Sequence, residues 1–195
     1  REEGIDDDTI VVFSSDNGPN RDAGGADSAF FESTGGLRGW KGSVYEGGIA
    51  APFLVRWPGR VAPGTTSDFL GYFPDVLPTL MDLIGADAAP DPSLDGVSFA
   101  PTLLGRPQER QHEFLYWEFP SYGGQQAVRL GRWKGVRPAL GAGETRIELY
   151  DVDADPQERQ DVVEAHPDVV ARIREILDAS HVPSPLFPLP TIDRK

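Results

Sequence analysis

The first candidates for chemistry are an acid and an amide that follow a short apolar run. Asp16 and Asn17 lie within residues 15–18, which follow the run Ile10–Phe13 after one serine. A carboxylate and an amide oxygen are hard ligands of the kind that Ca²⁺ or Mg²⁺ binds. The same residue types also form ordinary β-turns, because Asp, Asn and Gly are favoured there. By itself, this tetrapeptide leaves both interpretations open.

A lysine set between glycines is the second candidate. Lys41 lies in the segment 35–48, which contains six glycines. Glycines let a backbone approach an anion closely, and an ammonium group adds a compact positive charge. The alternative is a flexible loop with a solvated lysine. The aromatic residues of the segment favour an ordered loop.

The elements that must position these residues are predicted from the hydrophobic pattern. Ile10–Phe13 is continuously apolar and rich in β-branched residues, which predicts a strand buried on both faces of a parallel sheet. Asp16 and Asn17 then follow its carboxyl end, where open α/β sheets bind ligands. Phe53–Trp57 predicts a second strand. The spacing of apolar residues over Tyr72–Ile84 predicts a helix that ends at Gly85.

The second half of the chain has a different pattern. Four short strand-like runs separated by Gly or Pro turns predict a small antiparallel meander: Glu113–Phe119, Gln125–Leu130, Trp133–Val136 and Arg146–Tyr150. Pro167 predicts the start of a helix whose apolar stripe lies on a sheet face. We therefore predict two domains, residues 1–108 and 109–195.

The composition narrows the class of protein. The 195 residues carry 18 Lys and Arg against 31 Asp and Glu, a formal net charge of −13. Such an acidic surface repels phosphate backbones, so we expect no nucleic-acid partner. The absence of cysteine excludes disulfides and thiol nucleophiles within the chain. No apolar stretch has the length of a membrane span, and the first residues lack a signal-peptide pattern.

Several segments together identify a family more specifically than any one of them. In chain order they are Thr9–Pro19, Leu37–Ile49, Pro52–Gly59, Asp75–Leu80, Leu94–Ser98, Leu149–Asp151 and Asp155–Glu158. This series resembles the type I sulfatases of the alkaline-phosphatase superfamily. The resemblance implies an α/β fold: the C-terminal part of an alkaline-phosphatase-like α/β/α sandwich, followed by a small antiparallel-sheet subdomain with a C-terminal helix.

The resemblance also implies roles for individual residues. Asp16 and Asn17 match the pair that completes a divalent-metal site, usually Ca²⁺. Lys41 matches the lysine that contacts the sulfate group and stabilises its charge during catalysis. Glu46 matches a structural position of the same loop, and Arg38 is a candidate support for that loop.

Other family features have no match in the chain. The formylglycine nucleophile forms from a Cys/Ser-x-Pro-x-Arg motif, which is absent here and expected upstream. The histidines that accompany the sulfate have no match either, and we predict that His112, His166 and His181 are surface or capping residues. The chain is thus expected to be the C-terminal part of a sulfatase, inactive alone. The resemblance allows a periplasmic or secreted location.

Two other functions stay open from the sequence. One is a phosphodiesterase or phosphonate hydrolase of the same superfamily, and the other is a noncatalytic module that binds sulfated glycans. If the chain is part of a sulfatase, the expected partner is a sulfate ester of a small molecule or glycan. A truncated sheet would leave an exposed edge, so we also expect a dimer through that edge.

Overall fold

A computed structural model of the chain describes residues 3–86 and 94–193. Its strands are β1 (Val11–Ser14), β2 (Phe53–Arg56), β3 (Leu115–Phe119), β4 (Gln125–Leu130), β5 (Trp133–Arg137) and β6 (Glu148–Asp151). Its α-helices are α1 (Glu46–Ile49), α2 (Val76–Leu83), α3 (Ala100–Leu103) and α4 (Pro167–Ser180). Single 3₁₀ turns occupy Asp6–Asp8, Ala23–Gly25, Phe73–Asp75 and Leu140–Ala142. None of the helices within the described ranges has the length and apolar character needed to cross a membrane.

The chain divides into two compact units that interleave in sequence. The first comprises residues 1–16 and 52–112, and the second comprises residues 17–51 and 113–195. The glycine-rich segment with Lys41 therefore groups with the C-terminal half of the chain. The two units are described separately below.

The first unit is built on a two-stranded sheet. β1 pairs antiparallel with β2, with Val12 opposite Val55 and Phe13 opposite Leu54. The prediction of a parallel sheet with β1 buried on both faces is therefore wrong. One face lines an apolar cleft with α2, whereas the other face is open, and Phe13 is 64% exposed there. An all-apolar run needs a layer on both of its faces to be buried, and the described part of this unit supplies a layer on one.

The predicted helix over Tyr72–Ile84 is shorter than expected. A 3₁₀ turn precedes α2, and Pro78 lies in the first turn of α2, where its missing N–H costs little. The buried Asp75 carboxylate closes this start by accepting hydrogen bonds from the backbone N–H groups of Tyr72 (2.9 Å) and Val97 (2.7 Å). The hydrogen bond to Val97 joins segments 75–80 and 94–98, both of which resemble the family.

Two of the three histidines have buried side chains, contrary to prediction. His112 Nε2 lies 2.8 Å from Asp75 Oδ1, and only 8% of its side chain is exposed. His181 lies between Glu118 (2.8 Å) and Asp193 (2.9 Å). His166 is the N-cap residue of α4, as predicted, although its side chain makes no capping hydrogen bond. Each buried ring has a carboxylate partner that is distant in sequence, which no local pattern reveals.

The second unit contains the predicted four-stranded antiparallel meander. Its strand order is β3-β4-β5-β6. The apolar stripe of α4 packs on one face, where Ile173 and Leu177 meet Val128 and Leu149. Gly135 of β5 makes this contact possible, because a Cβ there would lie 2.4 Å from Ile173 Cγ2.

The other face of the same sheet carries the glycine-rich segment. Val44 and Tyr45 are buried there against Val136 and Tyr150. The two faces follow the alternation of side chains along a strand, since Val128 and Leu149 face α4 while their neighbours face the opposite way. The four-stranded sheet therefore forms the platform on which the segment with Lys41 rests.

Candidate functional site

Asp16 and Asn17 lie just beyond the carboxyl end of β1, as predicted. β1 ends at Ser14, the Asp16 side chain is exposed, and Asn17 is half-buried. The boundary between the two compact units falls between these two residues.

The segment after Asn17 is hydrogen-bonded to the loop that carries Lys41. The N–H of Gly18 donates to the carbonyl of Gly48 (2.8 Å), and the N–H of Lys41 donates to the carbonyl of Pro19 (2.9 Å). The two backbones meet so closely that a Cβ at Gly18 would lie 2.0 Å from the carbonyl oxygen of Gly47. Backbone hydrogen bonds within the second unit thus hold the segment that begins at Asn17 against the loop that carries Lys41.

The Lys41 loop has a fixed backbone shape. The N–H of Ser43 donates to the carbonyl of Trp40 (3.0 Å), and the N–H of Gly47 donates to the carbonyl of Arg38 (2.7 Å). Lys41 is exposed to solvent within this loop. An exposed ammonium on an ordered loop is suited to meet an anion that arrives from solvent.

A buried ion cluster holds this loop on the sheet. Lys134 of β5, 0% exposed, places its Nζ 2.7 Å from Glu46 Oε1 and 2.9 Å from Glu158 Oε1. The backbone N–H of Glu46 donates to Glu158 Oε2 (2.8 Å). Burial raises the pKa of the Glu158 carboxyl, and the Lys134 ammonium opposes that shift. The predicted structural role of Glu46 therefore has a specific basis, the joining of α1 to β5.

Lys134 and Glu158 were missed by the sequence reasoning. Lys134 lies in a strand with ordinary alternation, and its partners are 88 and 24 positions away. One signal was present: Trp133-Lys134-Gly135 repeats the tripeptide Trp40-Lys41-Gly42. A repeated tripeptide does not reveal which lysine is buried.

Arg38 supports the loop from the side, as proposed from the sequence. Its Nη1 donates to the hydroxyl of Tyr150 (2.7 Å) and to the carbonyl of Glu158 (3.2 Å). Its guanidinium also lies 3.8 Å from the centroid of the Tyr45 ring, an arrangement of the cation–π type. Burial, together with a hydrogen bond to Glu148, raises the pKa of Tyr45, so this phenol stays protonated.

Gln125 adds a link that the sequence reasoning missed. Its buried amide donates from Nε2 to the carbonyl of Gly42 (3.0 Å) and accepts at Oε1 from the N–H of Val44 (3.3 Å). These two bonds bracket Ser43, two residues after Lys41. The first residue of β4 therefore fixes the loop immediately beside its lysine.

The metal ligands can be tested by their chemistry. Asp16 and Asn17 offer a carboxylate and an amide oxygen, which fit a hard divalent cation. Within residues 3–86 and 94–193, no group of three or more His, Cys, Asp or Glu side chains is arranged to hold a metal ion. A cation of this type takes six or more oxygen ligands, so a site here requires ligands from another segment.

Comparisons with known proteins point to one family. Residues 36–182 match the family described as N-sulphoglucosamine sulphohydrolase, C-terminal. The chain is 32% identical over 191 residues to an N-acetylgalactosamine-6-O-sulfatase of Bacteroides thetaiotaomicron, covering 90% of this chain and 37% of that protein. It is 34% identical over 200 residues to human arylsulfatase A, covering 89% of this chain and 38% of that protein.

A solved structure gives the same result. It is described as part of the metabolism of multiple glycosaminoglycans by Bacteroides thetaiotaomicron, and it matches with a TM-score of 0.72 at 32% identity. The match covers 90% of this chain and 39% of that one. The chain thus spans less than two fifths of the length of these relatives.

Proposed function

Since the chain belongs to the sulfatase family and corresponds to the C-terminal part of its members, we propose that the full-length protein hydrolyses sulfate esters. The predicted fold class is confirmed by the same matches: mixed helices and sheets of an alkaline-phosphatase-like fold, with an antiparallel sheet and a C-terminal helix. The observation that carries the functional proposal is the anchored loop that presents Lys41 to solvent.

Lys41 binds the sulfate group in this proposal. Its ammonium donates hydrogen bonds to the sulfuryl oxygens and stabilises the negative charge that they carry in the transition state. The loop needs no reorganisation when the substrate arrives, because Lys134 holds it through an ion pair with Glu46 and Gln125 holds it through a hydrogen bond to Gly42. Preorganised charge of this kind is more effective than the same charge on a mobile chain.

Asp16 and Asn17 serve as two ligands of a divalent cation, for which we propose Ca²⁺. Their oxygens suit its hard character, and the remaining ligands come from the part of the protein that precedes this chain. When bound, such an ion supplies further positive charge to the sulfate oxygens. The proposed nucleophile, a formylglycine, also belongs to that preceding part.

The names of the relatives support a proposal for the substrate class. One relative is named for a sulfate on the 6-O position of N-acetylgalactosamine, and the matched structure is described in glycosaminoglycan metabolism. We therefore propose a sulfated sugar as the ester that this protein cleaves. The other candidates, a phosphodiesterase or phosphonate hydrolase and a noncatalytic glycan-binding module, are outcomes of the test below.

The test is turnover by the full-length protein on a sulfated sugar, an aryl sulfate and an aryl phosphodiester. We expect sulfate release from the first two, and Lys41→Ala should lower kcat by about 10²–10³, the effect of removing one preorganised charge donor. Arg21→Ala, at an exposed arginine of the same unit, is the control and should leave kcat unchanged. Binding without turnover would instead indicate a glycan-binding module, and preference for the diester would indicate the other hydrolases. Unchanged kinetics of Lys41→Ala would remove this lysine from the site.

We also propose that the chain, when expressed by itself, dimerises through the sheet of its first unit. The face formed by Val11, Phe13 and Leu54 is exposed, and β1 and β2 form a sheet of two strands. Open strand edges and apolar faces favour self-association. Light scattering should report a dimer, whereas a monomer with low binding of an apolar dye would contradict the proposal.

A further inference from the structure

Beside the Lys41 loop, one aromatic ring is exposed although its backbone is strained. Tyr122 is 79% exposed, and its φ is +50°, in the left-handed region that residues with side chains rarely adopt. Such conformations cost free energy and persist where the surrounding structure holds them, often at sites that contact ligands. A ring presented to water in this manner contributes little to a core.

The loop around Tyr122 is held rigidly. The N–H of Gly141 donates to the carbonyl of Gly123 (2.6 Å), and the N–H of Leu140 donates to the carbonyl of Gly124 (3.0 Å). The ring itself stacks on Phe119, with a centroid distance of 5.8 Å and an interplanar angle of 20°. Tyr122 is therefore an ordered platform, in contrast to a mobile surface side chain.

The position of this platform connects it to Lys41. A Cβ on Gly42 would lie 2.8 Å from Tyr122 Cε2 and 3.0 Å from Cδ2, so the ring edge packs against the residue that follows Lys41. Glycine at position 42 leaves the room that the ring occupies. All of these residues belong to the same compact unit.

We propose that Tyr122 binds the sugar ring that carries the sulfate ester bound by Lys41. This inference rests on the proposed function. One face of a pyranose presents C–H groups, which pack favourably on an aromatic surface, while the phenol hydroxyl can hydrogen-bond to a sugar hydroxyl. Tyr122 thus selects sulfated saccharides over simple sulfate esters, and it takes no part in the bond cleavage itself.

The experiment compares two substrates in the full-length protein. Tyr122→Gly removes the ring at a position whose φ glycine adopts without strain, so the fold is preserved. We expect KM for a sulfated disaccharide to rise about threefold to tenfold, the change that one aromatic contact produces, with kcat little altered. Both parameters for methyl sulfate should stay within about twofold, because that substrate has neither a sugar ring nor an aromatic ring to pack on Tyr122.

Two further variants sharpen the result. Tyr122→Phe keeps the ring and should retain most of the affinity for the saccharide. Phe187→Gly removes another exposed aromatic ring of the same unit and should leave both substrates unaffected. An unchanged KM for the saccharide in Tyr122→Gly would overturn the proposal, and so would an equal loss on both substrates, which would show that the ring only supports the Lys41 loop. Absence of turnover by the unsubstituted protein would instead refute the proposed function.

Discussion

Two regions of the molecule contain the same tripeptide and use it in opposite ways. Trp40-Lys41-Gly42 lies in a loop, and its lysine is exposed. Trp133-Lys134-Gly135 lies in the central strand β5, and its lysine is completely buried between two glutamates. The chemical role of each lysine is therefore set by the element that carries it. The two lysines are also connected, because the buried one fixes the loop on which the exposed one stands.

The glycines of the two tripeptides differ in the same way. Gly42 has a φ of +89° and makes room for the Tyr122 ring on the surface. Gly135 makes room for Ile173 in the core under α4. One glycine thus shapes the loop that carries Lys41, whereas the other serves helix packing. The comparison predicts that equal substitutions at the two lysines have unequal consequences.

The largest difference is expected for folding stability. Lys134→Met keeps the volume of the side chain but leaves Glu46 and Glu158 without their counter-charge. Removing one partner of a buried ion pair costs about 3–5 kcal/mol, so we expect the urea midpoint of the four-stranded sheet to fall sharply. Lys41→Met, at an exposed position, should change the free energy of unfolding by no more than about 0.5 kcal/mol. Trp fluorescence during urea unfolding measures both.

A second substitution tests whether the charge is the cause. In the double variant Lys134→Met, Glu158→Gln, an uncharged amide replaces the buried carboxylate. Part of the lost stability should return, since the amide needs hydrogen bonds but no counter-charge. If Lys134→Met were as stable as the unsubstituted protein, the cluster would not be what holds the loop on β5.

The sequence predicted the regions governed by local periodicity. The meander β3–β6 and the helix α4 follow from alternation and from a 3.6-residue stripe, and both elements were found. Asp16, Asn17 and Lys41 were identified because their segments resemble a family. Their roles remain a proposal.

The errors share a physical cause, which is dependence on distant partners. The apolar run of β1 indicated burial, but burial requires layers that a strand cannot specify by itself. His112 and Lys134 were missed as buried groups, because their partners Asp75 and Glu158 are 37 and 24 residues away. No local pattern in the sequence distinguishes Tyr122 from residues that pack in the meander. Its strained backbone and its contact with Gly42 become visible only when the loops are brought together.

The smallest expected effect concerns how the stability cost of each lysine substitution depends on pH. Only the cost of replacing the buried Lys134 should change with pH. Burial raises the pKa of Glu158, so the folded protein binds this proton more tightly than the unfolded chain does. Between the ordinary glutamate value of about 4.3 and the raised value, stability therefore falls as the pH rises. Lys134 opposes the shift, and its removal raises the Glu158 pKa further and widens this interval.

The cost of Lys134→Met should consequently grow from pH 4 to pH 7, because at pH 4 the carboxyl is largely protonated and needs no counter-charge. The cost of Lys41→Met should stay constant over the same range. Urea midpoints of both variants and of the unsubstituted protein, taken at unit pH steps, measure this difference directly. A cost for Lys134→Met that is flat or shrinks toward pH 7 would mean that the burial of Glu158 does not control the cluster. The different stability costs of the two substitutions would then be explained by the exposure of the lysines alone.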